Sequence, residues 1–355
     1  PANDAAMYEL ASLKKDQNDY ESAQALLEKA VTVKPENEWY WVALADCYEK
    51  NNDAPKLENV FNELLKINPD KPDYYFDQAN VYYLEKKYDQ ALAVYEKLEK
   101  MIGPSDEIIA KKENIYLKQG KVDKAAADIQ GLIDANPSEI RYYLLLGEIY
   151  NSNGLQDKAL KVLKEAEKAD PGSGRVHLAL ADIYRDKKDN EASYNQLTLA
   201  FKLPDLEIEQ EVKIVLGYVP KFPDPNAKAS ALELSRLLTL AHPDDARGYA
   251  LYGDMLIQNE KYPEAKTNYK KSLALNDQVY DVQEQLLRLD LGSNHMDAAI
   301  KDGENALSLF PNQAWLNYLV GVAYEQKKDF KKALSYVKNA TSLESQDNDL
   351  LAQSY

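Results

Sequence analysis

PDYYFDQANVYYLEKKYDQALAVYEKLEKMIGPS, residues 72–105, carries the pattern that the rest of the chain repeats. Tyr75, Gln78, Ala79 and Tyr82 stand at i, i+3, i+4 and i+7, the spacing that gathers side chains on one face of an α-helix. A polar break, Leu84-Glu85-Lys86-Lys87-Tyr88, follows. A second helix then carries Ala91, Val94, Tyr95 and Leu98 in the same rhythm, and Gly103-Pro104 closes the stretch. A small residue, Ala79 or Ala91, falls where the two helices approach closely, with Tyr75, Tyr82 and Tyr95 filling the space around it. Such a hairpin has one apolar face too many to stand alone, so it requires neighbours.

The neighbours recur at a fixed interval. Pro1, Pro35, Pro69, Pro137 and Pro171 lie 34 residues apart or a multiple of it, and Gly103 occupies the slot between Pro69 and Pro137. The crevice column reads Met7, Trp41, Tyr75, Ile109, Tyr143, His177, and the small-residue column Ala11, Ala45, Ala79, Glu113, Gly147, Ala181. Tyr48, Tyr82, Tyr116, Tyr150 and Tyr184 end successive first helices, and Ala23, Ala91, Ala125, Ala159 and Ser193 open the packing face of the second. A helix–turn–helix unit with this many columns in phase resembles the tetratricopeptide repeat family over nearly the whole length. The resemblance implies an all-α, right-handed α-solenoid (superhelix) of about nine to ten helix–turn–helix repeats. The residues agree with that class: no sustained period-two run is present.

Three regions follow from the phase of the repeat. Residues 1–205 hold six repeats, and 246–355 hold three more and the start of another helix, NDLLAQSY at 348–355. Between them, at 206–245, the interval stretches from 34 to 38 residues. There LEIEQEVKIVLGYV (206–219) reads as an atypical first helix. Pro220, Pro223 and Pro225 read as a loop that cannot be helical, and a second helix is expected from about Ala227 to Ala241. This divergent repeat is a candidate hinge; the competing reading is an insertion tolerated on the convex side. A looser joint is expected at Lys112 and Glu113, and weaker packing around Gln283, Leu287 and Asp290. Both ends read as cut from a longer array, with targeting or catalytic segments in flanks not in hand.

The net charge is −16, which opposes affinity for nucleic acid or an anionic membrane surface. No apolar run is long enough to span a bilayer. Cys47 is the only cysteine, so no intrachain disulfide forms, and its place beside Leu44 and Tyr48 reads as a buried thiol. Compartment stays open between the cytoplasm and a bacterial periplasm, the latter through a lipoprotein anchor ahead of Pro1. His177, His242 and His295 fall in three different repeats, with no pair at metal-ligand spacing. No phosphate-cradling glycine loop and no nucleophile elbow is present. The expectation is no enzyme, no metal and no cofactor in this segment.

The resemblance places function in the concave groove, lined by one face of each first helix. Aligning the repeats on their prolines puts Tyr8, Trp39, Val42, Phe76, Tyr83, Leu84 and Leu117 there, a surface suited to an extended peptide or a partner helix. Asn80 and Asn114 share a groove column, and the resemblance implies that they hydrogen-bond a ligand's backbone. The family's carboxylate clamp for chaperone tails needs Lys and Arg where this chain has Phe76, Leu144 and Glu148, so that activity is not expected. Arg141, Arg175, Arg185, Arg247 and Arg288 also align to groove columns, which on an acidic protein points to a carboxylate site. The competing reading pairs them with Asp182, Glu148, Asp254 or Glu284. Tyrosines number 26 against 6 phenylalanines; most fill packing columns, while Tyr8, Tyr83 and Tyr318 face the groove, where rings can stack on sugars. The expected function is a non-catalytic scaffold for a protein or peptide partner, with weak self-association through the cut ends. Two alternatives remain: a scaffold of a cell-envelope secretion or polysaccharide-export assembly, and the regulatory arm of an enzyme whose catalytic domain lies outside the segment.

Overall fold

The structure, a computed structural model, describes residues 3–343. Pro1, Ser345 and the segment 348–355 lie outside the described residues. The chain divides into two compact units at Gly154–Leu155. The first holds α1 (Asp4–Asp16), α2 (Tyr20–Val33), α3 (Glu38–Lys50), α4 (Ala54–Ile67), α5 (Pro72–Leu84), α6 (Tyr88–Ile102), α7 (Asp106–Lys118), α8 (Val122–Ala135) and α9 (Ile140–Ser152). The second holds α10 (Gln156–Ala169), α11 (Gly174–Asp186), α12 (Asn190–Ala200), α13 (Ile208–Leu216), α14 (Pro225–Ala241), α15 (Ala246–Gln258), α16 (Tyr262–Leu275), α17 (Tyr280–Gly292), α18 (Met296–Leu309), α19 (Ala314–Gln326) and α20 (Phe330–Leu343). Among the described residues there is no strand, so the fold is an all-α helical repeat array.

Each turn inside a hairpin is built the same way. The turn residue at 18, 52, 86, 120, 154, 188, 260, 294 and 328 has positive φ, between 55° and 74°. The 34-residue beat therefore persists in the backbone dihedrals, and it skips only the divergent repeat. The next amide reaches back five residues to close the helix: Asp53 N to Tyr48 O at 2.8 Å, Lys87 N to Tyr82 O at 2.8 Å, Asp329 N to Tyr324 O at 2.9 Å. This left-handed cap satisfies carbonyls that the helix end would otherwise leave bare. Only Gly120 and Gly154 supply the residue that adopts this conformation freely; elsewhere Asn, Lys or Glu is held there by the hydrogen bonds.

Packing follows the small-residue columns. Ala11, Ala79, Ala91 and Ala125 are fully buried, and Tyr95, Leu27, Leu44 and Leu64 fill the first unit's interior. Each large apolar side chain so buried contributes roughly 1.5–3 kcal/mol. In the second unit a Cβ on Gly253 would come within 2.4 Å of the Tyr269 ring, so only glycine lets α15 and α16 meet this closely. Cys47 is fully buried, and burial pushes its thiol up to about 11.

The crevice column has a polar task that its aromatic character conceals. Trp41 Nε1 donates to Pro35 O at 2.7 Å, Tyr75 OH to Pro69 O at 2.8 Å and Tyr143 OH to Pro137 O at 3.1 Å. His177 Nε2 lies 3.1 Å from Pro171 O, and Gln283 Nε2 donates to Asp277 O at 3.3 Å. Where the column carries a side chain with a terminal donor it reaches the preceding loop carbonyl, and Gln283 does so where an aromatic is missing; Met7 and Ile109 make no such bond. At the fourth repeat, Lys112 is buried with its ammonium 2.9 Å from Glu99 and 2.8 Å from Asp128.

The divergent repeat explains its own extra length. α13 runs nine residues where each of the other first helices runs thirteen, and α14 runs seventeen. A short 3-10 turn, Val219–Lys221, takes in Pro220, and Pro225 opens α14 rather than preceding it. Proline at a helix start forgoes an amide that would be unsatisfied anyway, and Asp224 caps the end by accepting from Asn226 N at 2.9 Å. The repeat is packed into the second unit through Leu206, Ile208, Val215, Leu234 and Leu238. No described helix is long and apolar enough to cross a membrane.

Candidate functional site

In the first unit, α3 and α5 present one face each to a cavity of about 320 Å³, floored by α4. Its walls include Val42, Asp46, Glu49, Asp77, Asn80 and Leu84. Helical spacing explains the set: Val42, Asp46 and Glu49 fall on successive turns of α3, and Asp77, Asn80 and Leu84 on successive turns of α5. Lys15 of α1 pairs with Asp46 at the rim. Leu84 is 74% exposed and Trp39, at the start of α3, is 66% exposed.

The structure brings Val42, Asn80 and Leu84 together on this cavity, and the other expected groove residues do not line it. Tyr8 is half-buried against Tyr40, ring centroids 5.2 Å apart. Phe76 packs edge-on to Tyr95 at 6.3 Å. Tyr95 OH donates to Asn80 Oδ1 at 3.3 Å, which aims that amide, and no described residue accepts from its Nδ2. Asn114 is exposed; its Oδ1 accepts from Tyr83 OH at 2.8 Å. Tyr83 carries Lys118 Nζ 4.9 Å from its ring centre, and Leu117 is half-buried beside it in the same cluster. The paired asparagines are therefore each fixed through Oδ1 by a tyrosine hydroxyl, and each keeps its NH₂ for another acceptor.

The arginines do not gather. Arg141, in the first unit, stacks over Tyr142 at 4.7 Å and pairs with Asp106 at 2.5 Å rather than with Glu148. In the second unit Arg185 pairs with Asp182 at 2.7 Å, and Arg288 pairs with Glu284 at 2.7 Å and lies over Trp315 at 5.0 Å. Arg247 is held by Asp245 at 2.6 Å and by Glu209, not by Asp254. Arg175 alone of the five has no ion-pair partner among the described residues. Asp254 instead accepts from Tyr269 OH at 2.6 Å, and burial raises its carboxyl above the usual range.

One set of links escaped the column alignment. Tyr40 OH donates to Asp4 at 2.9 Å, Tyr74 OH to Glu38, and Tyr142 OH to Asp106 at 3.0 Å. Each tyrosine ties its first helix to the first residue of the preceding one, 36 positions back. The signal was present as a Tyr column paired with an acidic helix-start column, and it is invisible unless the two are compared at 36 rather than 34. These links tie the starts of successive first helices together.

The histidines sit in structural settings. His177 is buried between Gln196 and Pro171, His242 lies 2.6 Å from the buried Glu211, and His295 precedes α18. Among the described residues no group of three or more His, Cys, Asp or Glu is placed to hold a metal ion.

Comparison with known proteins returns to the repeat. Models described as tetratricopeptide repeat match residues 14–75, 58–106, 114–174 and 316–347. Anaphase-promoting complex subunit 3 of Schizosaccharomyces pombe (strain 972 / ATCC 24843) is 31% identical over 96 residues, which are 27% of this chain and 14% of that protein. Among solved structures, MamA is 20% identical, covering 59% of this chain and 94% of its own at a TM-score of 0.34. YrrB, described as a TPR protein with an unusual peptide-binding site, is 16% identical, covering 65% and 98% at 0.37. The APC/C hetero-tetramer Cut9–Hcn1 is 14% identical, covering 99% and 76% at 0.36. No TM-score among these reaches 0.5, so the kinship rests on the sequence matches.

Proposed function

The chain belongs to the tetratricopeptide repeat family, and on that premise we propose that it is a non-catalytic scaffold holding a protein partner by an extended or helical segment. The segment lies in the groove of the first unit, along α3, α5 and α7. The observation that carries this reading is the cavity of about 320 Å³ bordered by exposed Leu84 and by Asn80, whose amide is pre-aimed by Tyr95. Apolar side chains of the partner enter between Val42 and Leu84, Trp39 and Phe76 flank them, and Asn80 and Asn114 donate to the partner's backbone carbonyls. Glu49 and Asp77 on the cavity wall favour a segment with a basic residue at that point. Peptide recognition of this mode takes its affinity from a few buried anchors and its orientation from the amides.

The test is retention of proteins from the source lysate on the immobilised chain, followed by binding of the retained protein's segment as a synthetic peptide. Wild type and a Trp39→Ala/Phe76→Ala variant are compared by titration. A peptide that binds wild type and loses about tenfold or more in affinity to the variant supports the groove. Equal affinity for both removes the groove from the interaction.

A further inference from the structure

The short α13 opens a second cleft, within the second unit and independent of the first-unit groove. Because α13 stops after nine residues, the chain turns away at Gly217 and leaves a cavity of about 480 Å³ against α11, α12 and the start of α14. That volume falls among sites that accept small ligands or side chains, roughly 300–1,000 Å³. Its lining is rich in donors: Arg185, Lys213, Lys221, Tyr194 and Tyr218. Among the described residues no carboxylate pairs with Lys213 or Lys221, and neither tyrosine hydroxyl has a hydrogen-bond partner. The two phenols and the Arg185 guanidinium are close enough to interact electrostatically, and burial holds Tyr218 above the ordinary phenol range. Lys221 sits 5.7 Å from the Tyr218 ring centre.

The carboxylates on the same walls are already engaged. Asp182 accepts from Arg185 at 2.7 Å, and Asp224 caps α14 through Asn226 N at 2.9 Å. An adjoining cavity of about 400 Å³ shares Leu178 and Asp182 with the cleft. It is lined by Arg175, with Glu207 and Gln210 on its α13 side. Arg141, Arg236, Arg247 and Arg288 are each paired to acidic residues. On a chain of net charge −16 this cleft brings three cations, Arg185, Lys213 and Lys221, onto one set of walls.

We propose that this cleft is a second binding site, which takes carboxylate side chains from an acidic segment of a protein partner. Lys213 and Lys221 supply charge, Tyr194 and Tyr218 supply neutral hydroxyl donors, and Arg185 keeps N–H groups beyond the one given to Asp182. An anionic segment is repelled by the acidic surface as a whole, so it is retained only where the local field reverses sign. The site thus selects by position as well as by charge.

The experiment titrates a fluorescein-labelled oligoglutamate into the full chain at low ionic strength and follows anisotropy. The expected result is saturable binding that weakens with added salt, by about tenfold or more in Lys213→Ala/Lys221→Ala and several-fold in Tyr218→Phe. Trp39→Ala/Phe76→Ala binds as wild type does, which separates this site from the first-unit groove. The lysines are exposed, and unchanged helical circular dichroism verifies that the variants fold. The proposal is overturned if oligoglutamate does not bind, if the lysine variant binds it equally, or if oligolysine binds at the same residues. Binding of a phosphoserine peptide without oligoglutamate binding overturns the assignment to carboxylates.

Discussion

Glu211→Gln tests whether the divergent repeat carries a proton that the unfolded chain releases. Glu211 is fully buried on α13, its Oε2 lies 2.6 Å from His242 Nε2, and its Oε1 has no hydrogen-bond partner. Burial, with Asp205 nearby, pushes the carboxyl from its ordinary 4.5 up to about 8. The folded state therefore holds a proton that the unfolded state has lost, so this contribution is complete below about pH 4.5 and disappears as pH rises through about 8. The slope inside that window is about 1.4 kcal/mol per pH unit, giving roughly 3 kcal/mol between pH 5.5 and the upper end. Sharing the proton with His242 makes that figure a ceiling. Glutamine keeps the shape and a donor for His242 but has nothing to titrate. Since long repeat arrays do not melt as one unit, the assay is hydrogen exchange by mass spectrometry on peptides from α13 and α14, corrected for intrinsic rates. Wild-type protection should fall by up to about a hundredfold from pH 5.5 to 8.5, while Glu211→Gln stays flat over the same range. Parallel pH dependence in the two proteins refutes the reasoning, because it means that Glu211 is ionised in the fold as it is in the unfolded chain.

Three further outcomes follow from packing and backbone geometry. Gly253→Ala drives a methyl into the Tyr269 ring and should cost about 1–3 kcal/mol, read as lost exchange protection in α15 and α16; Gly292→Ala, with open space at its Cβ, should be close to neutral in the same assay. Lys86→Gly relieves a lysine at φ 59° and should raise the local melting of the α5–α6 hairpin by about 0.5–1 kcal/mol, with no change in groove binding. Lys112→Ala strips the ammonium from Glu99 and Asp128 and should destabilise α7 and α8 by about 2–4 kcal/mol; a loss under 1 kcal/mol would mean that water substitutes for the buried charge.

Much of the fold is legible in the chain because a repeat reports each contact several times. A single Ala79 says little, but Ala11, Ala45 and Ala79 at one phase identify where helices touch, and Tyr48, Tyr82 and Tyr116 identify where they end. The stretch of the beat from 34 to 38 was visible too, in the interval between Asp205 and Pro243. Less was legible wherever residue type and conformation part company. The left-handed turn residue is glycine at 120 and 154 but lysine at 86, 188 and 328, so its column has no compositional mark. Pro225 read as a breaker and proved to be a helix start, because a proline's effect depends on which side of the cap it falls.

By itself, then, the sequence determined the class, the number of repeats and the columns that pack, since these rest on short-range periodicity and on volume matched between neighbours. Tertiary structure alone decided which charges are spent. Arg141 turned to Asp106 and Tyr142, Arg288 to Glu284 and Trp315, and Glu211 was enclosed against His242 while Lys213 and Lys221 were left uncommitted. Long polar side chains reach several partners from one position, and the choice among them depends on local burial and on differences of an ångström. A 34-residue rhythm carries no information at that scale.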